Sequence, residues 1–320
     1  MQQRKFGKLG SVSSLTLGGG GIGQVWGETT REESIRTVHK AIDSGINFLD
    51  VAPSYGQGEA ETVVGETFKG KLPDNVRIST KHHLGKVPEG EVLARLESSL
   101  DESLKRLQLE KIDLFFLHGM IIPDTYEGAA KGTPRTQFIQ EVRPAFENLV
   151  QRGKIGGWGI SGIGIPSALV DTLNESPAPN AIQCITNLLD SPGSMHTYTE
   201  NAEPRKLISL ANEVGTCVMG IRAVQAGALT EKIDRDIAND HPEMIDYNRA
   251  ANFRHLAHEM GIAPAILAHR YALSMEGVST IVLGVKNCAE LEECIQAEEA
   301  GTLSTDEIVL IDQCVRNKHA

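Results

Sequence analysis

The sequence has no uninterrupted apolar run near the ~18–20 residues that a membrane-spanning helix requires. No signal-type apolar core follows its polar start, MQQRKFGKLG. Cysteine is sparse, with five residues (Cys184, Cys217, Cys288, Cys294 and Cys314) and no CxxC pair. An odd set of scattered thiols reads as reduced, so a cytoplasmic protein without disulfide staples is expected. Basic residues are also in deficit: 31 Lys and Arg face 42 Asp and Glu, for a net charge of −11. That balance disfavours a nucleic-acid face or a polybasic membrane patch. Metal-ligand motifs are missing. His255 and His258 lie three apart on one helical face with no third ligand motif such as HExxH, and read as solvated, so no metal is expected. Aromatics are only 5% of the chain, with two Trp, which hints at small or polar substrates.

What is present is an ordinary globular composition, 40% hydrophobic and 23% charged. Short β-branched runs alternate with amphipathic stretches along the whole chain. Strands are expected at 15–17, 46–51, 76–80, 112–117, 155–160, 181–185, 216–221 and 279–283. Helices fall between them. One carries Val92, Leu96, Leu100, Leu104 and Leu107 at spacings of four, four, four and three. Another spans Phe138 to Leu149, with a kink or restart expected at Pro144. A long helical stretch from Pro242 to Met275 is broken at Gly261–Pro264. Thr30 and Glu33 form an expected capping box, as do Ser304 and Glu307. Eight strand–helix units suit a closed (β/α)8 TIM barrel better than an open doubly wound sheet. The expected architecture is a single domain over 1–320, α/β in class, with an N-terminal hairpin within 5–14 and an extra C-terminal helix. The patterning specifies no oligomeric state.

Gly18 to Gly23 fits GxGxxG, the dinucleotide fingerprint of a Rossmann unit. That fingerprint needs its last glycine inside the receiving helix, whereas here the helix is expected only from Thr30. A glycine-rich barrel loop, with Gly20 and Gly21 letting a ligand approach the backbone, fits better. Barrel chemistry sits at the C-terminal ends of the strands. Asp50, Lys81 and His118 fall at three such ends, and Tyr55 follows Asp50 by five residues. A phenol is a weak acid, with a reference pKa of ~10, and a neighbouring ammonium such as Lys81 is expected to lower it. Asp50 would hold Lys81 charged, while His118 would donate a hydrogen bond to a substrate carbonyl. The quartet suits hydride delivery to a carbonyl carbon with Tyr55 supplying the proton. Trp26, in the loop after the first strand, is read as a wall of the substrate pocket beside Tyr55 and His118.

At these residues the chain resembles the aldo-keto reductase superfamily. The matching stretches are 47–56 (NFLDVAPSYG), Thr80-Lys81, 113–118 (DLFFLH), Gly159-Ile160-Ser161 and Gln183. The resemblance runs from the first barrel strand to the helix after Lys286. It implies a barrel that binds NADP(H) in extended form and reversibly reduces an aldehyde, ketone or sugar carbonyl. It implies Tyr55 as general acid, tuned by Asp50 and Lys81, with His118 orienting substrate. By the same likeness Asp50, Ser161 and Gln183 contact the nicotinamide end of the cofactor. The stretch 283–294 matches the segment that holds the adenosine 2′-phosphate and adenine, which assigns Leu283, Gly284, Lys286, Asn287, Glu290 and Glu293 to the cofactor.

The chain also departs from that pattern. Gly162 stands where asparagine is common. Ile221 replaces the aromatic that stacks on the nicotinamide, and Arg222 after it adds a cation near the pyrophosphate. Cys294 replaces an asparagine, and Glu290 stands where Arg or Gln is usual and would repel a 2′-phosphate. NADP(H) is therefore expected as cofactor, with NAD(H) bound more weakly. A cofactor-binding regulatory or scaffold protein with slow turnover, as potassium-channel β-subunits resemble, is the alternative reading. An isomerase or lyase barrel would need a phosphate loop or metal carboxylates.

Overall fold

The computed structural model describes residues 1–128 and 131–316. Gln3–Lys5 (β1) and Ser11–Ser13 (β2) pair as an antiparallel hairpin with Arg4 opposite Val12. The barrel opens with β3 (Leu15–Gly18), β4 (Phe48–Asp50), β5 (Arg77–His82) and β6 (Ile112–Leu117). After β6 the chain makes an excursion through β7 (Met120–Ile122) and β8 (Gly132–Pro134), which pair with each other. It rejoins the barrel with β9 (Ile155–Ser161), β10 (Ala181–Ile185), β11 (Cys217–Ile221) and β12 (Thr280–Leu283). All eight barrel strands are parallel, and the ring closes where Leu283 of β12 lies beside Leu17 of β3. The expected (β/α)8 barrel is the observed fold.

The helices follow the apolar spacing. α1 (Gly19–Ile22) is a single turn, α2 spans Arg31–Asp43, α3 Glu59–Phe68 and α4 Val92–Leu107. Every leucine of the four-four-three series on α4 is buried, because those spacings keep one stripe against the barrel. α5 (Arg135–Gln137) passes through a π turn at Phe138–Val142 into α6 (Arg143–Gln151). The kink expected at Pro144 takes that form, since the extra residue of the π turn relieves the backbone just before the proline. α7 (Pro166–Leu173) and α8 (Pro204–Glu213) follow β9 and β10. α9 (Pro242–Arg249), α10 (Ala251–Glu259) and α11 (Pro264–Ser274) follow β11; α12 (Cys288–Glu299) and α13 (Thr305–Arg316) end the described chain.

Four expectations are corrected. The glycine run is not a plain loop, since Gly19–Ile22 makes its own helical turn. Only half of the Thr30 capping box forms: Thr30 Oγ1 accepts from Glu33 N at 3.1 Å, while the Glu33 carboxylate accepts from Cys288 N and ties α2 to α12. The Ser304–Glu307 box is complete in both directions. The stretch 242–275 breaks a second time at Ala250, where α9 gives way to α10. The polar, glycine-containing stretch after β6, which reads as loop in the sequence and within which residues 129 and 130 lie outside the described residues, holds a strand pair.

The hairpin plugs the N-terminal end of the barrel. Phe6 and Val12 pack on Phe48, Leu114, Phe116, Ala181 and Met219, and the Phe6 ring meets Phe48 edge-on at 5.6 Å. A cavity of about 250 Å³ lined by Lys8, Leu9 and Asn180 lies at this end, remote from the polar mouth. The apolar floor leaves the opposite end of the strands as the place where polar side chains converge. Among the described residues no helix is long and apolar enough to cross a membrane.

Candidate active site

Asp50 and Lys81 are placed by register. Asp50 lies opposite Ser79, and Ser79 and Lys81, two apart on β5, face the same side of the sheet. Lys81 was expected at the end of its strand; it lies inside β5, with its side chain 0% exposed. Its Nζ donates to Asp50 Oδ2 at 2.7 Å and to the Val51 carbonyl at 2.8 Å. The Asp50 carboxylate also accepts from Ser79 Oγ at 2.5 Å and Gln183 Nε2 at 2.9 Å. A buried charge pair of this kind survives only when its remaining lone pairs are satisfied, and Ser79 and Gln183 do that. On the outer side of β5, Thr80 donates to the buried Glu61 at 2.5 Å, and Glu61 accepts from Arg106 Nε at 2.6 Å. This brace between β5, α3 and α4 fixes which way Lys81 points. Neither Ser79 nor Glu61 stood out in the sequence, because their roles exist only once strands are in register.

Tyr55 sits in the loop after β4, with the Lys81 ammonium 4.8 Å from its ring centroid and the His118 ring edge-on at 5.6 Å. The quartet picked from the sequence is therefore one cluster. Its electrostatics differ from expectation. Burial pushes the Tyr55 phenol above the ordinary value, Lys81 pulls it down by charge and a hydrogen-bonding contact, and Asp50 adds to the rise. Burial wins, so Tyr55 is a neutral O–H donor at physiological pH rather than a phenolate. Burial also opposes the charge on Lys81, but Asp50 and Tyr55 outweigh it and hold its pKa above that of a free lysine. Burial, with help from Lys81 and the two neighbouring histidines, pushes His118 down to about 3. Its imidazole is neutral across the physiological range. Ser54 Oγ lies 3.3 Å from His118 Nδ1, and His83 Nδ1 lies 2.7 Å from the His118 carbonyl. His82, likewise depressed to about 4 chiefly by burial, stays neutral beside them.

The residues assigned to the cofactor are distributed along the rest of the mouth. Ser161 and Gln183 face each other across β9 and β10, but Ser161 Oγ donates to the Leu117 carbonyl and the Gln183 amide serves Asp50. Gly162 is glycine for steric reasons, since a Cβ there would meet the Gln183 carbonyl oxygen at 2.7 Å. Ile221 is half-buried at the end of β11. Arg222 is not a free cation: it takes a positive φ of 59° and donates to Glu243 at 2.8 Å and to Gln225 at 2.8 Å. Leu283 is buried core. Gly21 packs on the chain rather than opening to a ligand, because a Cβ would strike the Val285 carbonyl oxygen at 1.8 Å. Gly20 and Gly284 instead flank Trp26: a Cβ on Gly20 would stand 2.4 Å from the indole nitrogen, and one on Gly284 3.2 Å. Trp26, 43% exposed, thus lies on the glycine-lined side of the mouth. Asn287 caps α12 by accepting from Glu290 N at 2.9 Å, and Glu293 is exposed on that helix. Lys286 bonds Asp234 at 2.7 Å and Glu290 at 3.2 Å. Asp234, on the loop between β11 and α9, was invisible to sequence reasoning because 52 residues separate it from Lys286.

Three histidines read from the sequence as metal-free have ordinary partners. His241 caps α9 and lies 2.7 Å from Glu243; His255 and His258 pair with Glu259 and Glu231. Among the described residues no group of three or more His, Cys, Asp or Glu side chains is placed to hold a metal.

A parallel eight-stranded barrel with a buried Asp–Lys pair, a tyrosine and a neutral histidine at its C-terminal mouth defines a class of acid–base enzyme. The sequence profile of the aldo/keto reductase family matches residues 14–316. The chain is 27% identical to L-galactose dehydrogenase of Arabidopsis thaliana, over 97% of this chain and 92% of that one. It is 29% identical to L-glyceraldehyde 3-phosphate reductase of Escherichia coli K12, over 98% and 92%. The aldo-keto reductase AKR11C1 from Bacillus halodurans, solved in its holo form, superposes with a TM-score of 0.74 at 25% identity, covering 98% of this chain and 96% of that one. The chain belongs to the aldo/keto reductase family, a family of oxidoreductases that act on small carbonyl compounds.

Proposed function

We propose that residues 1–320 form one domain that reversibly reduces an aldehyde, ketone or sugar carbonyl to the alcohol in the cytoplasm, with Tyr55 as the proton donor. The observation that carries this reading is the single cluster of Tyr55, Lys81, Asp50 and His118. A nicotinamide dinucleotide, when bound, supplies the hydride. The donor set supports such a ligand: Gly20 and Gly284 both lie against the partly exposed indole of Trp26, and Ser161 and Gln183 stand on neighbouring strands with Gln183 bonded to Asp50. The expected preference for NADP(H) over NAD(H) rests on the Lys286 charge alone.

The chain's own residues divide the work. His118 is neutral and donates one ring N–H to the carbonyl oxygen, which orients the substrate and favours negative charge on that oxygen. Tyr55 keeps its proton until the oxygen becomes strongly basic, then gives it up; in the reverse direction it takes the proton back. Lys81 stabilises the tyrosinate left behind, and Asp50 keeps Lys81 charged and in place. The apolar floor beneath them excludes water, which strengthens each of these interactions. The two named relatives act on L-galactose and L-glyceraldehyde 3-phosphate, and short polyhydroxylated aldehydes are the substrate class we favour. A panel of aldoses, simple aldehydes and ketones, followed by reduced-nicotinamide absorbance with NADPH and NADH in parallel, tests the reading. Turnover on at least one carbonyl supports it, and none with either cofactor defeats it.

A further inference from the structure

Lys286 leaves the end of β12 at the same mouth as the catalytic cluster, and on the reading above it faces the adenosine end of the dinucleotide. A lysine that selects a 2′-phosphate has to offer its charge. This one is engaged three ways. Its Nζ donates to Asp234 Oδ2 at 2.7 Å and lies 3.2 Å from Glu290 Oε1, while its backbone N–H donates to Glu290 Oε2 at 2.9 Å. Glu290 is itself fixed, because its own N–H is capped by Asn287. The Lys286 side chain is only 18% exposed, and it runs along Gly27, where a Cβ would lie 3.5 Å from its Cδ. The neighbouring cation is taken as well, since Arg235 Nη1 stands 3.3 Å from Asp234 Oδ1. Four charges alternate in sign, Arg235, Asp234, Lys286 and Glu290, and sum to zero.

Such a cluster treats the two possible adenosine riboses differently. A 2′-phosphate, a dianion near neutral pH, gains its charge-assisted bond to Lys286 only by displacing Asp234, and it then stands beside Glu290. A ribose 2′,3′-diol carries two O–H donors and no charge, so it hydrogen-bonds to the same carboxylates with the ion pairs left in place. We propose that Asp234, seconded by Glu290, is a cofactor-selectivity residue that claims Lys286 and removes the advantage of the phosphorylated dinucleotide. This departs from the NADP(H) preference expected from Lys286 alone. It rests on the dinucleotide reading of the mouth, and the experiment separates the two.

Dissociation constants of NADPH and NADH, with adenosine 2′,5′-bisphosphate as a probe of the adenosine end, are measured by titration calorimetry on the full chain. The unaltered protein should bind NADPH and NADH within about threefold of each other. In Asp234→Ala, Lys286 is released to one charge-assisted phosphate contact of ~1.5–3 kcal/mol, so NADPH and the bisphosphate should each tighten about tenfold or more, while NADH, left with Glu290 alone to accept from its diol, should not tighten. Asp234→Asn, which keeps the shape of the loop, should move the same way. A preference of about tenfold or more for NADPH in the unaltered protein overturns the inference, as does an Asp234→Ala protein whose NADPH affinity is unchanged. Failure of both dinucleotides to bind defeats the functional reading itself.

Discussion

The Lys81 ammonium and the Asp50 carboxylate meet at 2.7 Å, with side chains 0% and 2% exposed, and the same ammonium stands 4.8 Å from the centre of the Tyr55 ring. One buried charge thus connects the only carboxylate of the cluster to its only phenol. Removing the cation in Lys81→Met leaves Asp50 as an uncompensated buried charge, which costs about 3–5 kcal/mol of stability. Tyr55 also loses the one neighbour that lowers its pKa. The variant should turn over at least about tenfold more slowly in reduction, with the alkaline limb of its pH profile displaced upward. Rates and limb left where they were would make Lys81 a purely structural residue.

His118 and His82 give the acid side of the profile. Their folded-state values, about 3 and about 4, lie below the ~6.5 of histidine in an unfolded chain. Between these limits the unfolded chain binds more protons than the folded one, so stability is retained above pH ~6.5 and falls as pH drops toward 4. Urea midpoints measured from pH 7 to 4.5 should decline, and His118→Gln should lose part of that slope. Activity, by contrast, should show no inflection near pH 6.5 attributable to His118. An inflection there that His118→Gln abolishes contradicts a neutral imidazole.

Ser54 precedes Tyr55 and places its hydroxyl 3.3 Å from His118 Nδ1. A neutral imidazole that donates from Nε2 needs a donor at Nδ1, and the Ser54 hydroxyl fills that role. Ser54→Ala removes one exposed neutral hydrogen bond, worth about 0.5–1.5 kcal/mol, so kcat/KM should fall roughly two- to tenfold. Ser54→Thr should restore most of it. Equal kcat/KM in all three proteins removes Ser54 from the site.

Glu61 carries a stability prediction. Glu61→Ala leaves the Thr80 hydroxyl and Arg106 without their buried acceptor. Arg106 keeps some contact with water, so the loss should be about 2–3 kcal/mol rather than the full cost of a broken buried pair. Chemical denaturation measures it directly, and a change under about 0.5 kcal/mol contradicts the brace.

Much of this architecture was legible because its causes are local. Period-four leucines on α4 and the apolar run of β6 each encode their own structure within a few residues. The quartet was legible because strand ends mark the barrel mouth. What stayed hidden depends on partners far along the chain. Asp234 meets Lys286, Ser79 meets Asp50, and Gly21 packs on Val285, none of them from sequence neighbours. Glu33 looked like half of a capping box but serves α12 instead, because a tertiary donor, Cys288 N, competes with the local one. The upward shift of Tyr55 is hidden from the sequence for a related reason: the lysine is visible there, and the degree of burial is not.

Tyr55→Phe tests the central claim most directly, because it removes one oxygen and leaves the ring, Lys81 and the dinucleotide contacts in place. Steady-state reduction of the best carbonyl from the panel is compared with the dissociation constant of the reduced cofactor in the same preparation. Loss of the general acid should lower kcat by about 10²–10⁴, with cofactor affinity unchanged within about twofold. A pure Tyr55→Phe protein that reduces the same carbonyl at the unaltered rate contradicts the account.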